Sequence, residues 1–119
     1  MARVIITRTL KDRLLNRFGG EAELILSKMN HLGSSPKSGK HLTTIGSLML
    51  GEIRFRGYRF YYVTDAHKIK FLSVHELEDL IIRFVEYSEK HQRETIEKLK
   101  DMLRSIRKTP DVRIISCVV

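Results

Sequence analysis

The chain has 119 residues, of which 42% are hydrophobic and 30% charged, a balance typical of a globular domain that excludes a disordered chain. Its 22 Lys and Arg outnumber 14 Asp and Glu, which gives a formal net charge of +8. The length suits a single domain over residues 1–119, and the basic charge favours a polyanionic partner, such as nucleic acid or an acidic protein.

The sequence lacks the signals of secretion and of membrane insertion. No apolar run approaches the 18 or so residues that a membrane-spanning helix needs, and "MARVIITRTL" has no signal-peptide core. The one cysteine, Cys117, cannot form an internal disulfide, which fits a reducing compartment. We therefore expect a cytoplasmic protein without a membrane partner.

The first third of the chain is predicted to form a strand and two helices. Residues 2–7 read as a short strand, and Thr9 is the candidate N-cap of a helix that ends before Gly19-Gly20. A second apolar stripe at helical spacing runs over residues 22–32. Because the break is so short, an antiparallel helical hairpin is expected.

The segment "GSSPKSGKH", residues 33–41, is interpreted as a basic linker. It departs from the phosphate-binding P-loop, because five residues rather than four separate Gly33 from Gly39. In addition, His41 replaces the hydroxyl residue that would hold magnesium. Nucleotide binding of the P-loop kind is therefore not expected.

Strands are predicted at about 47–55, 58–63 and 68–72, with Arg56-Gly57 as a two-residue hairpin turn between the first two. In this register Phe55 faces Tyr58, and the pairs alternate between an apolar face and a polar one. Lys70 of the third strand is expected to point the same way as the polar face. That face is predicted to carry Glu52, Arg54, Arg59 and Tyr61.

The last part of the chain is predicted to be helical over about 74–107. Ser73 and Glu76 have the spacing of a capping box, and the stripe that follows from Leu77 repeats with helical spacing. "LIIRFV" also reads as a strand, but the cap and the stripe favour a helix. A further helix is expected over about 89–107, followed by an apolar tail, 108–119, suited to an edge strand or to a partner surface.

The polar face has the chemistry to act on a phosphodiester. Guanidinium groups bind phosphate charge, and Glu52, Tyr61 or His75 could carry protons. The alternative interpretation is a solvated sheet face whose charges pair with one another. The other histidines show no ligand spacing with each other or with Cys117, so neither a metal nor a cofactor is expected.

The sequence resembles the RelE/ParE superfamily of toxin–antitoxin toxins over roughly residues 2–75. The segment "NHLGSSPKSGKHL" is similar to the family's linker of helix end, proline and glycine-lysine-leucine. "GSLMLGEIRF" is similar to its E-[IL]-R strand, and "GYRFYYVTD" to its Y-R-apolar-apolar-Y strand. The resemblance implies a small α+β domain, with an N-terminal strand and helical hairpin packed on a twisted antiparallel sheet and with C-terminal helices.

The resemblance also implies a function. RelE-type members are endoribonucleases that cut mRNA on the ribosome by attack of the RNA 2′-hydroxyl, and a cognate antitoxin covers their site. By this match Arg59 would stabilise the transition-state phosphate, while Glu52 and Arg54 occupy the E-[IL]-R positions, with Glu52 as the base. The cations expected to contact RNA are Lys40, Arg56, Lys68 and Lys70.

Two other functions are compatible with the same residues. The chain could be a ParE-like toxin that inhibits DNA gyrase, or an inactive relative that binds nucleic acid or a partner. Active RelE-like toxins usually place a further Arg, His or Tyr at or beyond the last strand. Here only His75 lies near that place, with Tyr87, Lys90 and His91 later in the chain. The sequence does not predict an oligomeric state.

Overall fold

The structure, a computed structural model, describes residues 2–89 and 93–107. The strands are β1 (Arg3–Ile6), β2 (Lys40–Ile45), β3 (Leu48–Phe55), β4 (Tyr58–Asp65) and β5 (Ile81–Glu89). The helices are α1 (Arg8–Phe18), α2 (Ala22–His31), α3 (Ala66–Phe71) and α4 (Arg93–Arg107). Single 3₁₀ turns cover Gly19–Glu21, Pro36–Ser38 and Val74–Glu76.

The five strands form one mixed sheet in the order β1-β5-β4-β3-β2. β1 pairs with β5 in parallel, and the other neighbours are antiparallel. The predicted α+β class, with an N-terminal strand and a helical hairpin, is confirmed. The sheet is mixed rather than wholly antiparallel, because β1 joins it in parallel with β5. None of the described helices is long and apolar enough to cross a membrane.

Both faces of the sheet are covered. α1 and α2 pack on one face through Leu14 and Met29, which contact a core that includes Phe60 and Phe84. α4 packs on the opposite face, so the C-terminal helix expected over about 89–107 is confirmed with its start at Arg93. The residues buried between α4 and the sheet are Ile45, Leu50, Tyr61, Val63, Ile96, Leu99 and Leu103.

The β3–β4 hairpin has the predicted register, with Phe55 opposite Tyr58 and Glu52 opposite Tyr61. Its turn residues Arg56 and Gly57 have φ angles of +49° and +85°. Two positive φ values are characteristic of a type I′ turn, whose twist matches that of the strands it joins. The hairpin therefore fixes which side chains share each face.

The third predicted strand, 68–72, is wrong, because this segment belongs to helix α3. The carboxylate of Asp65 accepts a hydrogen bond from the Lys68 backbone N–H at 2.9 Å and caps the helix. Lys70 therefore lies on a helix and not beside Arg59 on the sheet.

The helix predicted from residue 74 is also wrong, although its capping box exists. The Ser73 backbone N–H and hydroxyl both donate to Glu76 Oε1, at 3.0 and 2.8 Å, but they close only one 3₁₀ turn. The apolar run that follows is β5, which lies between β1 and β4. A central strand buried on both faces reads as a continuous apolar run, and here that run imitates a helical stripe.

Two smaller corrections concern the N-terminal half. The N-cap of α1 is Thr7 rather than Thr9, since Thr7 Oγ1 accepts the Leu10 backbone N–H at 3.2 Å. The basic linker is shorter than expected, because β2 begins at Lys40. Residues 90–92 and the tail 108–119 lie outside the described residues.

Candidate functional site

Glu52, in the middle of β3, is the centre of a cluster of charged side chains. Its side chain is 0% exposed, and its Oε1 atom lies 3.4 Å from Arg54 Nε, 3.4 Å from Arg59 Nη1 and 4.0 Å from Lys40 Nζ. Arg59 is 16% exposed, whereas Arg54 and Lys40 are more than half exposed. We call these four residues the Glu52 cluster.

Strand register explains how the cluster forms. Lys40 pairs with Glu52 across β2 and β3, and Arg54 pairs with Arg59 across β3 and β4. Like charges directly opposite each other destabilise a sheet. Glu52 lies between the two guanidinium groups and offsets their repulsion, which explains why the strands tolerate both arginines.

The Glu52 cluster leaves hydrogen-bonding capacity unused. Glu52 Oε2 and Arg59 Nε are buried, and neither has a hydrogen-bond partner within the described part of the chain. The ion-pair distances of 3.4–4.0 Å also exceed the 2.7–2.9 Å or so of a tight charge-assisted hydrogen bond. One carboxylate oxygen and one guanidinium N–H thus remain uncommitted. Both are buried, so they would meet a hydroxyl donor and a phosphate oxygen only after the exposed side chains of Arg54 and Lys40 turn away from Glu52.

Tyr61 lies beside Glu52 but belongs to the core. Its ring is 0% exposed in the layer covered by α4, and its hydroxyl is 2.7 Å from Ser88 Oγ. Burial raises the pKa of the Tyr61 phenol, and the Ser88 hydrogen bond opposes that rise only in part. The phenol is therefore neutral at physiological pH and has no direct access to solvent.

The remaining residues proposed from sequence are not part of the Glu52 cluster. His75 lies exposed on the 3₁₀ turn before β5, and Lys68 and Lys70 lie on α3. Arg56 lies in the hairpin turn and forms an ion pair with Glu21. Among the described contacts, none of these four forms a hydrogen bond or an ion pair with Glu52.

Sequence reasoning misses two residues at the end of α2. Lys28 and His31 line a cleft of about 290 Å³ together with Lys40, Glu52 and Arg54, at the sheet edge where β2 begins. Lys28 Nζ also lies 5.6 Å from the centre of the Phe55 ring, which holds this end of α2 against the hairpin. Their i, i+3 spacing directly before the basic linker is the only sequence signal for this arrangement.

The cleft is strongly cationic, and His31 and Glu52 are the metal-ligating types among its described lining residues. Lys40, Arg54 and Arg59 surround the single carboxylate of Glu52, and Lys28 lines the same cleft, so the local charge is positive. Within residues 2–89 and 93–107, no group of three or more His, Cys, Asp or Glu is placed to hold a metal ion. The arrangement suits binding of a phosphate with a carboxylate alongside as proton acceptor.

Comparison with solved structures adds one likeness. The chain is similar to a chain in the crystal structure of the archaeal RelE–RelB complex from Pyrococcus horikoshii OT3, with a TM-score of 0.57 and 18% identity. The alignment covers 76% of this chain and 97% of that chain. The fold is RelE-like. This structural likeness confirms, at the level of fold, the resemblance seen in the sequence. The Glu52 cluster lies on strands β2, β3 and β4 of this fold.

No family model matches the sequence, and no curated protein matches it.

Proposed function

We propose that this protein is a RelE-like toxin that cleaves single-stranded RNA, with mRNA on the ribosome as its substrate. The observation that carries this proposal is the Glu52 cluster, a buried carboxylate with one uncommitted oxygen among three cations. The phosphodiester of an RNA strand is the anion that such a site fits best, and the net charge of +8 favours the approach of this polyanion.

In the proposed reaction, Glu52 accepts the proton of a ribose 2′-hydroxyl. The 2′-oxygen bonds to the adjacent phosphorus while the bond from phosphorus to the 5′-oxygen breaks, which leaves a 2′,3′-cyclic phosphate and a 5′-hydroxyl. Arg59 and Arg54 stabilise the charge that develops on the phosphate oxygens. Because the side chains of Arg54 and Lys40 are 55% and 56% exposed, they can turn from Glu52 to an incoming phosphate at small cost.

The leaving 5′-oxygen requires a proton, and His31 is the residue we assign to donate it. His31 shares the cleft with Glu52, whereas Tyr61 is sealed in the core and His75 lies on a separate turn. Imidazole is the side chain whose ordinary pKa allows proton donation near neutral pH.

The proposal includes an antitoxin as protein partner in the cytoplasm. The similar chain from Pyrococcus horikoshii OT3 comes from a RelE–RelB complex. An acidic segment laid over Lys28, Lys40 and Arg54 would neutralise the cleft and block access to Glu52.

Growth arrest on induced expression is the experiment that tests the proposal. We expect arrest with codon-phased mRNA ends for the wild type, and loss of both for Arg59→Ala and Glu52→Gln. Arg13→Ala is the matched control, since Arg13 is 47% exposed, pairs with Glu86 at 2.8 Å and belongs to α1 on the opposite face of the sheet. Thermal unfolding of each purified variant separates lost chemistry from lost fold.

A substrate with sulfur in place of the leaving 5′-oxygen tests the role of His31. Sulfur leaves without protonation, so His31→Ala is expected to cleave the oxygen substrate slowly and the sulfur substrate at nearly the wild-type rate. Glu52→Gln is expected to be slow on both. Equal impairment of His31→Ala on the two substrates would exclude proton donation by this residue.

A toxin without nuclease chemistry is the second candidate. The full burial of Glu52 and its pairing with three cations also suit a cluster that only holds the hairpin and binds an acidic partner or nucleic acid. Arrest without new mRNA ends, accompanied by altered DNA supercoiling, would favour the gyrase-inhibiting function. Absence of arrest from folded protein would leave a binding function alone.

A further inference from the structure

A second pocket, of about 540 Å³, lies between β2, β3, α3 and the Pro36–Ser38 turn. It shares no lining residue with the Glu52 cluster: Gly39 and His41 line it, while Lys40 between them contacts Glu52. Successive side chains of a strand point to opposite faces, so β2 separates the two sites. The volume is that of a cleft for a small organic ligand.

The floor of this pocket is apolar and is shaped around Tyr62. Met49 and Ile69 form its walls, and the Tyr62 ring is fully buried. A Cβ on Gly39 would lie 2.0 Å from Tyr62 Oη, and one on Gly51 would lie 2.4 Å from Tyr62 Cζ, so the ring fits only against two glycines. Tyr62 Oη has no hydrogen-bond partner among the described residues.

The rim of the pocket is basic. Lys37, His41 and Lys70 line it, and no carboxylate within the described chain forms an ion pair with Lys70. Hydrogen bonds from Ser73 are the main cause of the lowered pKa of Glu76, and the nearby charge of Lys37 adds to it, so part of the Lys37 charge is already offset. Lys70 is therefore the better anchor for an anion.

We propose that this pocket binds a nucleotide, with the base between Met49, Ile69 and Tyr62 and the phosphate on Lys70 and Lys37. Apolar walls suit a planar heterocycle, and the rim supplies the charge that its phosphate needs. Burial raises the pKa of Tyr62 to about 12, so its phenol is a neutral group that both donates and accepts. A small displacement of Gly39 would expose the Tyr62 hydroxyl to the polar edge of a base, which can form a hydrogen bond with it. An aliphatic side chain of a bound peptide would leave the same hydroxyl without a hydrogen-bond partner.

The nucleotide could be free or part of an RNA strand, and Phe71 distinguishes the two sources. Phe71 follows Lys70, is 64% exposed, and has the Lys70 ammonium 5.3 Å and the His67 ring 4.8 Å from its ring centre. An exposed aromatic ring beside a cation is a stacking platform for the next base of a strand. The binding mode is unlike that of a P-loop and does not depend on cleavage at Glu52.

Calorimetric titration of the purified full chain tests this proposal. The probes are adenosine monophosphate, adenosine, inorganic phosphate, and a 2′-O-methyl tetranucleotide that cannot undergo 2′-hydroxyl attack. We expect the monophosphate to bind more tightly than either fragment, Lys70→Ala to weaken it about fivefold, and Ala66→Leu to abolish binding by filling the pocket. Lys11→Ala, which removes an exposed charge on α1, is expected to bind like the wild type.

Each further outcome decides one question. Weaker tetranucleotide binding by Phe71→Ala, with unchanged monophosphate binding, identifies an RNA strand as the source, whereas equal binding of both probes identifies the free nucleotide. The proposal is overturned if neither probe saturates, if Lys70→Ala binds like the wild type, or if an acidic peptide displaces the monophosphate and binds more tightly. If Ala66→Leu unfolds, Lys70→Ala decides alone. Growth arrest reports on the Glu52 cluster, whereas the effect of Lys70→Ala on monophosphate binding reports on this pocket, so failure of one proposal is distinguishable from failure of the other.

Discussion

Tyr61 and Tyr62 are adjacent residues of β4 whose hydroxyl groups have opposite surroundings. Both rings are fully buried, one on each face of the sheet. Tyr61 Oη is 2.7 Å from Ser88 Oγ, whereas Tyr62 Oη has no partner in the described structure. A buried hydroxyl without a hydrogen-bond partner loses its hydrogen bonds to water on folding and forms none in the protein. We therefore expect the Tyr61 hydroxyl to stabilise the fold and the Tyr62 hydroxyl to destabilise it.

Removing each hydroxyl tests this expectation. Tyr62→Phe is expected to raise the free energy of unfolding by about 1 kcal/mol, and Tyr61→Phe to lower it by about 1 kcal/mol. Denaturant unfolding at neutral pH measures both, and each variant is the control for the other. A loss of stability in Tyr62→Phe would mean that its hydroxyl is hydrogen-bonded in solution.

The same two residues make stability fall at high pH. Burial is the main cause that raises the pKa of Tyr62 to about 12, with the negative charge of Glu52 adding to it. Between about pH 10 and 12 the unfolded chain therefore loses a proton that the folded chain keeps, so stability is complete below pH 10 and falls as the pH rises through this window. The loss from Tyr62 is about 3 kcal/mol.

Unfolding measured across this pH range, together with tyrosinate absorbance, checks the expectation. The decline should be smaller in Tyr62→Phe, and the part that remains should come partly from Tyr61, whose pKa burial also raises. An equal decline in Tyr62→Phe would mean that other groups cause it.

At the scale of elements, local patterns predict what local interactions form. α1, α2 and α4 follow from apolar stripes at helical spacing, and the β3–β4 register follows from the two-residue turn. β5 does not follow, because what makes 81–89 a strand is pairing with β1 and β4, which are distant in sequence. The capping interaction of Ser73 with Glu76 forms as predicted but cannot extend against those pairings.

The candidate site divides in the same way. Register alone places Glu52, Arg54 and Arg59 together, so these residues can be found from the sequence of one hairpin. Lys28 and His31 reach the cleft only because α2 packs beside the hairpin, and the one sign of that contact in the sequence is their i, i+3 spacing before the basic linker. The second pocket forms only because residues 66–71 are helix α3. The strand predicted over 68–72 would not have formed it.

α4 contributes stability through one stripe of side chains. Leu103 is fully buried against the sheet, whereas its neighbour Met102 is 37% exposed. Leu103→Ala is expected to lower the free energy of unfolding by about 2 to 4 kcal/mol, because it removes buried contacts and leaves a cavity. Met102→Ala is the control and should cost less than about 1 kcal/mol. Denaturant unfolding compares them, and similar losses would show that α4 is not held as described.

At the scale of the whole molecule, positive charge is concentrated around the start of β2. The cleft beside the Glu52 cluster and the second pocket are both lined by basic side chains of the segment around residues 37–41. A strand of RNA held by such cations releases counterions, so its affinity should fall with salt. Removing one positive charge from a protein of net charge +8 changes its general attraction to RNA only slightly. Removing a side chain that contacts a phosphate changes the number of counterions released, and so the salt dependence.

Salt dependence therefore distinguishes a contact from general attraction. In a plot of log affinity against log salt for 2′-O-methyl RNA, Arg54→Ala is expected to reduce the slope by about 0.7, the value for one phosphate of a single strand. Arg13→Ala removes the same charge from the opposite face of the sheet and should leave the slope unchanged. Fluorescence anisotropy measures both, and equal slopes for the two variants would mean that Arg54 contacts no phosphate.

The parallel pairing of β1 with β5 sets the order in which a newly synthesised chain can fold. Arg3 aligns with Ile81, so β1, which leaves the ribosome before β5, waits for its partner while the residues between them are made. The β2–β3–β4 meander, with short connections, pairs earlier and forms the Glu52 cluster before the sheet is complete. Synthesis that stalls before residue 81 therefore leaves β1 and the outer edge of β4 without neighbours, and exposed strand edges promote aggregation of the nascent chain.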